Sequence, residues 1–229
     1  MKNNQKGFTL VEIAIVLVII GLLLGGILKG QEMIIQAKIK NAITDFSGVS
    51  AAYFGYQDRY RATPGDDPQA TRWTSPTGVV AGDGNRILTG LYVPGTPASD
   101  ETAQWWDHLR RSGFLSGTGV SNPNNAFNGV LGVQQGDGKG TTGATPTNPG
   151  STLGGFTALI MCSTNLPDKV AIALDTQMDD GTLSTGFVRG KDGTGTVAMT
   201  TGTVADATNT GSSNYVENGT TFYTLCRQF

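Results

Sequence analysis

The chain has 229 residues with 16 basic and 18 acidic side chains, a formal net charge of −2 that excludes a nucleic-acid-binding surface spread over the whole molecule. Its 33 glycines and 15% charged residues suit a loop-rich β domain outside the cytoplasm better than a helical cytosolic enzyme. One long helix and one head would use up this length, which argues against a second independent domain.

The first element is an apolar run, FTLVEIAIVLVIIGLLLGGIL from Phe8 to Leu28, whose single charge is Glu12. A helix needs about 20 such residues to cross a bilayer. No small-residue cleavage site follows the run; Lys29 comes next and the helical pattern continues, so the segment is expected to stay in the mature protein. Lys2 and Lys6 on one side and Lys29, Lys38 and Lys40 on the other leave its orientation undecided by charge. Beyond it, Ile35, Ile39, Ala42, Phe46, Val49, Tyr53, Tyr56 and Tyr60 recur in steps of four and three, an apolar stripe along one helix face. Thr63-Pro64-Gly65 ends the pattern. A single helix from Phe8 to Tyr60 would be roughly 80 Å long.

Lys6-Gly7-Phe8-Thr9-Leu10-Val11-Glu12, placed directly before an apolar span, resembles the processing site of type IV prepilins and type II secretion pseudopilins. The resemblance covers residues 1–60 and is far less specific in the head. It implies that a membrane aspartyl peptidase cuts between Gly7 and Phe8 and N-methylates Phe8. Loss of residues 1–7 removes Lys2 and Lys6 and leaves 14 basic against 18 acidic side chains. Glu12 becomes the fifth mature residue, where the family keeps a Glu. A carboxylate inside a span normally has a partner, and the resemblance names the N-terminal amine of a neighbouring subunit. The simpler alternative is a Glu12 hydrated or protonated near the interface. Many pilins carry a proline in the middle of this helix. Here Gly21, Gly25, Gly26 and Gly30 stand instead, either as a flexible segment or as a close helix-packing face.

Residues 64–98 read as a turn-rich connection. A helix follows, with Ser99 as its N-cap, Asp100 and Glu101 in its first turn, Arg110 and Arg111 in its last, and Gly113 at its end. Trp105, Trp106 and Leu109 should pin it to the head, and His108 reads as a packing or surface residue rather than a catalyst. The segment from Pro64 through this helix resembles a connector found in some proteobacterial pilin-like proteins. Residues 116–155 are mostly loop, with a short strand at Val130–Val133. Further strands are expected at Phe156–Cys162, Val170–Leu174, Gly186–Arg189, Gly195–Met199 and Phe222–Cys226; the Val170 segment fits a short helix as well. Cys162 and Cys226 lie 64 positions apart, and the chain has one histidine, which is not a metal-site pattern. A disulfide closing a long loop is the simplest reading, with two buried thiols as the alternative; the disulfide implies an oxidising compartment.

The acidic cluster Asp175, Asp179, Asp180 before Gly181 departs from EF-hand spacing; it is a weak calcium candidate, since some pseudopilins hold calcium in a head loop and a β-turn explains the Asp-Gly equally well. Gly138-Lys139-Gly140 fails the phosphate-loop pattern because a glycine replaces the hydroxyl residue. No nucleophile elbow accompanies His108. Arg59, Arg61 and Arg72 with Tyr60 and Trp73 form a small basic–aromatic group, read as a solvated helix end in preference to a DNA contact. Nucleic acid is therefore not expected as a partner.

These readings predict an α+β, pilin-like fold: a leader at 1–7, a helix over 8–62 that spans a membrane to residue 28 and is amphipathic from 29, and an antiparallel β head over 63–229. The resemblance implies a non-enzymatic subunit without a cofactor. Its partners would be other copies of itself, the prepilin peptidase and methyltransferase, an inner-membrane assembly platform and, before assembly, the lipid bilayer. It would start in the bacterial inner membrane and end in a periplasmic or extracellular filament. The alternatives are a signal-anchored periplasmic binding or enzyme domain that never polymerises, and a minor tip pilin with adhesive or DNA-binding loops.

Overall fold

Helix α1 runs from Leu10 to Tyr60 without interruption in the computed structural model, which describes residues 9–73, 79–90, 92, 99–136, 156–193 and 214–229. The leader and the strand expected at Gly195–Met199 lie outside those residues. The chain divides into two units, Met1–Lys38 and Ile39–Phe229.

The first unit holds the apolar part of α1, where every large hydrophobic side chain from Leu10 to Ile35 is exposed. Ile35 is 46% exposed, so the buried stripe begins at Ile39 rather than at Ile35. The helix passes through the glycine cluster unbroken, and a Cβ at Gly21, Gly25, Gly26 or Gly30 would meet no atom within 4 Å.

The second unit packs the rest of α1 on a four-stranded antiparallel sheet. The strands are β1 (Leu131–Gln135), β2 (Leu159–Pro167), β3 (Val188–Gly193) and β4 (Phe222–Gln228), in the order β1-β2-β4-β3. Ile39, Ala42, Phe46, Val49 and Tyr56 of the expected stripe are buried along α1, together with Ala52, which the stripe did not include. Tyr53 and Tyr60 are half-buried beside it. Along β2 the side chains alternate. Leu159 and Met161 join Leu131 and Val133 of β1 against α1 and the Trp105–Trp106–Leu109 face of α2 (Glu101–Arg111). Ile160 and Cys162 point the other way, towards Tyr92 and Phe156. Since β2 is covered on both faces, it reads as a nearly continuous buried run and extends to Pro167, five residues past the expected end. A bulge between Ser163 and Leu166 carries Asn165 at φ 58°, tied down by its Nδ2 donating to the Phe127 carbonyl.

Two expectations need correction. Residues Val170–Leu174 lie in helix α3 (Asp168–Met178), not in a strand. Five residues of Val-Ala-Ile-Ala-Leu alternate like a strand, but Val170, Ala171 and Leu174 also share one helical face. That face is buried against Ile39, Ala42, Leu166 and Leu183, while Ile172 and Ala173 stay half-buried. The N-cap of α2 is Asp100 rather than Ser99; its carbonyl accepts from the Ala103 and Gln104 amides and its side chain makes no capping bond. The end of α2 follows the expected pattern. Gly113 sits at φ 82°, its amide donates to Arg110 O, and the Phe114 amide donates to Leu109 O.

Candidate functional site

The polar end of the first unit is built from two side chains. Thr9 precedes the first residue of α1, and Glu12 stands three residues on. The Thr9 amide and hydroxyl both donate to Glu12 Oε2 at 2.8 Å, and the Glu12 amide donates to Thr9 Oγ1 at 3.3 Å. This reciprocal arrangement is a capping box, which satisfies helix N-terminal donors that have no partner within the helix. Its signal is the Thr-x-x-Glu of Thr9 and Glu12 ahead of an apolar run, which the expectations for Glu12 did not include. Glu12 is therefore exposed to its surroundings yet held by its own chain. Gly7 and Phe8 lie outside the described residues.

The cysteines are paired. Cys162 and Cys226 are direct register partners on β2 and β4, with Cα atoms 4.0 Å apart, and both are fully buried beside Tyr92, Phe156 and Ile160. Among the described residues, no cysteine is free.

Asp175, Asp179 and Asp180 are brought together at the C-terminal turn of α3, with one carboxylate oxygen from each within 4.8 Å of the others. Asp175 is fully buried. Its Oδ2 accepts from the Tyr215 hydroxyl at 2.6 Å, and its Oδ1 meets no geometric hydrogen-bond partner among the described residues. Burial is the main cause pushing its pKa up to about 6, and the neighbouring Asp180 and Asp179 charges add to it. Asp179 accepts from the Val188 amide at 2.8 Å, and Asp180 from the Thr182 amide and the Thr185 hydroxyl at 2.8 and 2.5 Å.

His108 is fully buried at the centre of a network that fastens the connector. Its Nδ1 accepts from the Gly65 amide at 2.9 Å, and its Nε2 lies 3.2 Å from the Val80 carbonyl, which fits a neutral ring with the proton on Nε2. Burial lowers its pKa. Asp66 accepts from the Gly84 and Arg86 amides, and Glu101 from the Thr89 amide and hydroxyl. With Asp83, these carboxylates form a second acidic group, which sequence reading did not single out. His108 has the role of a brace, with both ring nitrogens committed to backbone.

In the basic–aromatic group, the Arg72 guanidinium lies 4.6 Å from the Tyr60 ring centre and 5.0 Å from that of Trp73. It also bonds both oxygens of buried Asp67 at 2.8 and 3.2 Å. Asp67 in turn accepts from the Tyr56 hydroxyl at 2.6 Å. Arg59 lies 5.3 Å from the Tyr60 ring. The aromatic rings are thus engaged within the fold.

Among known proteins, the model of the prokaryotic N-terminal methylation motif matches residues 2–28. This is the signature of type IV pilin and pseudopilin precursors, and it marks the chain as pilin- or pseudopilin-like at its N-terminus. The motif implies processing by a prepilin peptidase, and the apolar helix fits a precursor anchored in the inner membrane. No curated protein and no solved structure matches the chain significantly.

Proposed function

We propose that the chain is a structural subunit of a type IV pilus or of a secretion pseudopilus. It is inserted as a prepilin, cut between Gly7 and Phe8, N-methylated at Phe8, and polymerised through α1. The observation that carries this reading is the state of the first unit. A helix whose large apolar side chains are all exposed bears a single carboxylate at its start, inside the matched motif. Such a surface needs either lipid or other helices to cover it. In the assembled state, burial between N-terminal helices drives association, and Glu12 fixes their register by meeting the amine that cleavage creates on a neighbour. The head, a sheet locked by a buried disulfide, faces the periplasm or the exterior, which is where a disulfide persists.

N-terminal peptide mass spectrometry on membrane and sheared surface fractions tests the processing. A chain that starts at Phe8 with one added methyl group, found in the sheared fraction, is the expected result. Retention of Met1–Gly7 would instead favour an anchored, non-polymerising domain. Glu12→Ala should insert in the membrane and fail to form filaments.

The Asp175 group favours an added role in holding a divalent cation. The buried Oδ1 of Asp175, without a geometric hydrogen-bond partner among the described residues, beside Asp179 and Asp180 fits a hard cation, which takes oxygen ligands. The ion would tie the end of α3 to the start of β3, where Asp179 already holds the Val188 amide. Calcium should raise the thermal midpoint of the wild type and leave that of Asp175→Asn unchanged; equal shifts in both would remove the site.

A further inference from the structure

His108 ties together three segments that are distant in the sequence. It stands on α2, its Nδ1 accepts from the Gly65 amide at 2.9 Å, and its Nε2 lies 3.2 Å from the Val80 carbonyl. Both of those backbone groups belong to the connector. The ring is fully buried, stacked on Tyr56 of α1 with 6.4 Å between ring centres and tilted against Trp73 at 5.8 Å. It is the only histidine in the chain.

This bonding scheme exists in one protonation state. The Val80 carbonyl needs a proton on Nε2, and the Gly65 amide needs a lone pair on Nδ1; the neutral ring supplies both. A second proton occupies Nδ1 and turns two donors towards each other. The Gly65 amide then loses its acceptor, and a positive charge sits in a buried place.

The charges that face the ring decide how readily it takes that proton. Asp67 and Arg72 face it from the connector, Asp107 from α2, and the Tyr56 ring from α1. Asp67 would attract an imidazolium, but it is forked to Arg72 at 2.8 and 3.2 Å and also holds the Tyr56 hydroxyl. Asp107 is paired with Arg111 at 2.6 Å. Asp66 and Glu101 are turned to the amides of residues 84, 86 and 89. The nearby acids are thus largely balanced, and burial is the main influence, holding the ring below its ordinary pKa of 6.5.

We propose that His108 is an acid-operated latch, whose protonation releases the connector at Gly65 and Val80 from α2 while the sheet stays folded. The native head holds the neutral ring, so the contribution of the latch is complete above pH 6.5 and is lost as pH falls through the folded value. Across that window the opening equilibrium rises about tenfold per pH unit. The sheet is fixed separately, by its own ladder and the Cys162–Cys226 bond. Opening uncovers the sides of Tyr56 and Trp73 that now face the ring.

Full-length protein in detergent micelles, prepared without a histidine tag, tests the latch, because its single imidazole is read directly by 15N-histidine NMR. The expected ring is neutral at pH 7 with its proton on Nε2, and it titrates below 6.5. Hydrogen exchange is measured alongside, as protection relative to the free amide. Gly65 should lose about tenfold in protection per pH unit through the titration, while the amides of β2 and β4 keep theirs. His108→Asn leaves an acceptor near the Nδ1 position and has no proton to gain, so its Gly65 protection should not follow pH. If that variant does not fold, the wild-type titration decides alone. A ring still neutral at pH 4, ring protonation with Gly65 protection unchanged, the same loss in His108→Asn, or sheet amides lost at the same midpoint would each overturn the proposal.

Discussion

Removal of the Cys162–Cys226 bond should destabilise the head by an amount set by the unfolded chain. The bond joins residues 64 positions apart. In the loop-closure description, a cross-link over that length restricts the unfolded ensemble by about 4 kcal/mol at 25 °C. In the folded head the two cysteines already face each other across hydrogen-bonded strands, so the native state loses little else when the bond is absent. Cys162→Val with Cys226→Val keeps two apolar side chains in the pocket formed by Tyr92, Phe156 and Ile160 and so limits any cavity contribution. The three tryptophans of the chain, Trp73, Trp105 and Trp106, all lie in the second unit. Tryptophan fluorescence during urea unfolding of the full chain in micelles therefore reports the head alone. The expected result is a loss of about 4 kcal/mol in the unfolding free energy, because the constraint acts on the unfolded chain. A loss below about 1 kcal/mol would refute the loop-closure reasoning.

Asp175→Asn should alter the pH dependence of stability. The folded pKa of Asp175 is raised to about 6, above the ordinary carboxylate value of about 4. The native state therefore binds more protons between those values, and the contribution of this group is present at low pH and lost as pH rises through 6. At about 1.4 kcal/mol per unit the difference approaches 3 kcal/mol. The wild type should thus gain stability relative to Asp175→Asn as pH falls from 7 to 4, and parallel denaturation curves for the two would refute the shift. Gly132→Ala should cost several kcal/mol or prevent folding, because a Cβ there runs into the Tyr92 backbone carbonyl; thermal denaturation measures it.

The first helix was legible because two strong periodic signals follow each other, an uninterrupted apolar run and then a stripe of period 3.6. Ile39, Ala42, Phe46, Val49 and Tyr56 were all placed on the buried face by spacing alone. Helix α3 was ambiguous because five residues cannot separate a period of 2 from one of 3.6 when the intervening residues are alanines. The start of α2 slipped by one because Ser99, Asp100 and Glu101 are all residues that favour a helix start. The connector network had no sequence signal. Its bonds link Asp66 to residues 84 and 86, Glu101 to residue 89, and His108 to residues 65 and 80, and no local pattern records such separations. The two asparagines that fasten the β2 bulge, Asn125 and Asn165, were hidden for the same reason.

Glu12 was legible as an exception, a charge in an apolar run, but only the structure shows how its two oxygens are divided. Both Thr9 donors converge on Oε2. Oε1 accepts no hydrogen bond among the described residues and remains available to a donor from outside. Capping and assembly therefore need not compete. In the unassembled chain Thr9 satisfies one oxygen and secures the first turn, and under the proposed reading the amine of a neighbouring Phe8 meets the other. That division separates the two roles. Loss of the Thr9 hydroxyl removes one of two donors to Oε2 and leaves Oε1 untouched, whereas loss of the carboxylate charge abolishes the attraction to the amine. An assembly step that depends on Glu12 should therefore tolerate Thr9→Val far better than Glu12→Gln.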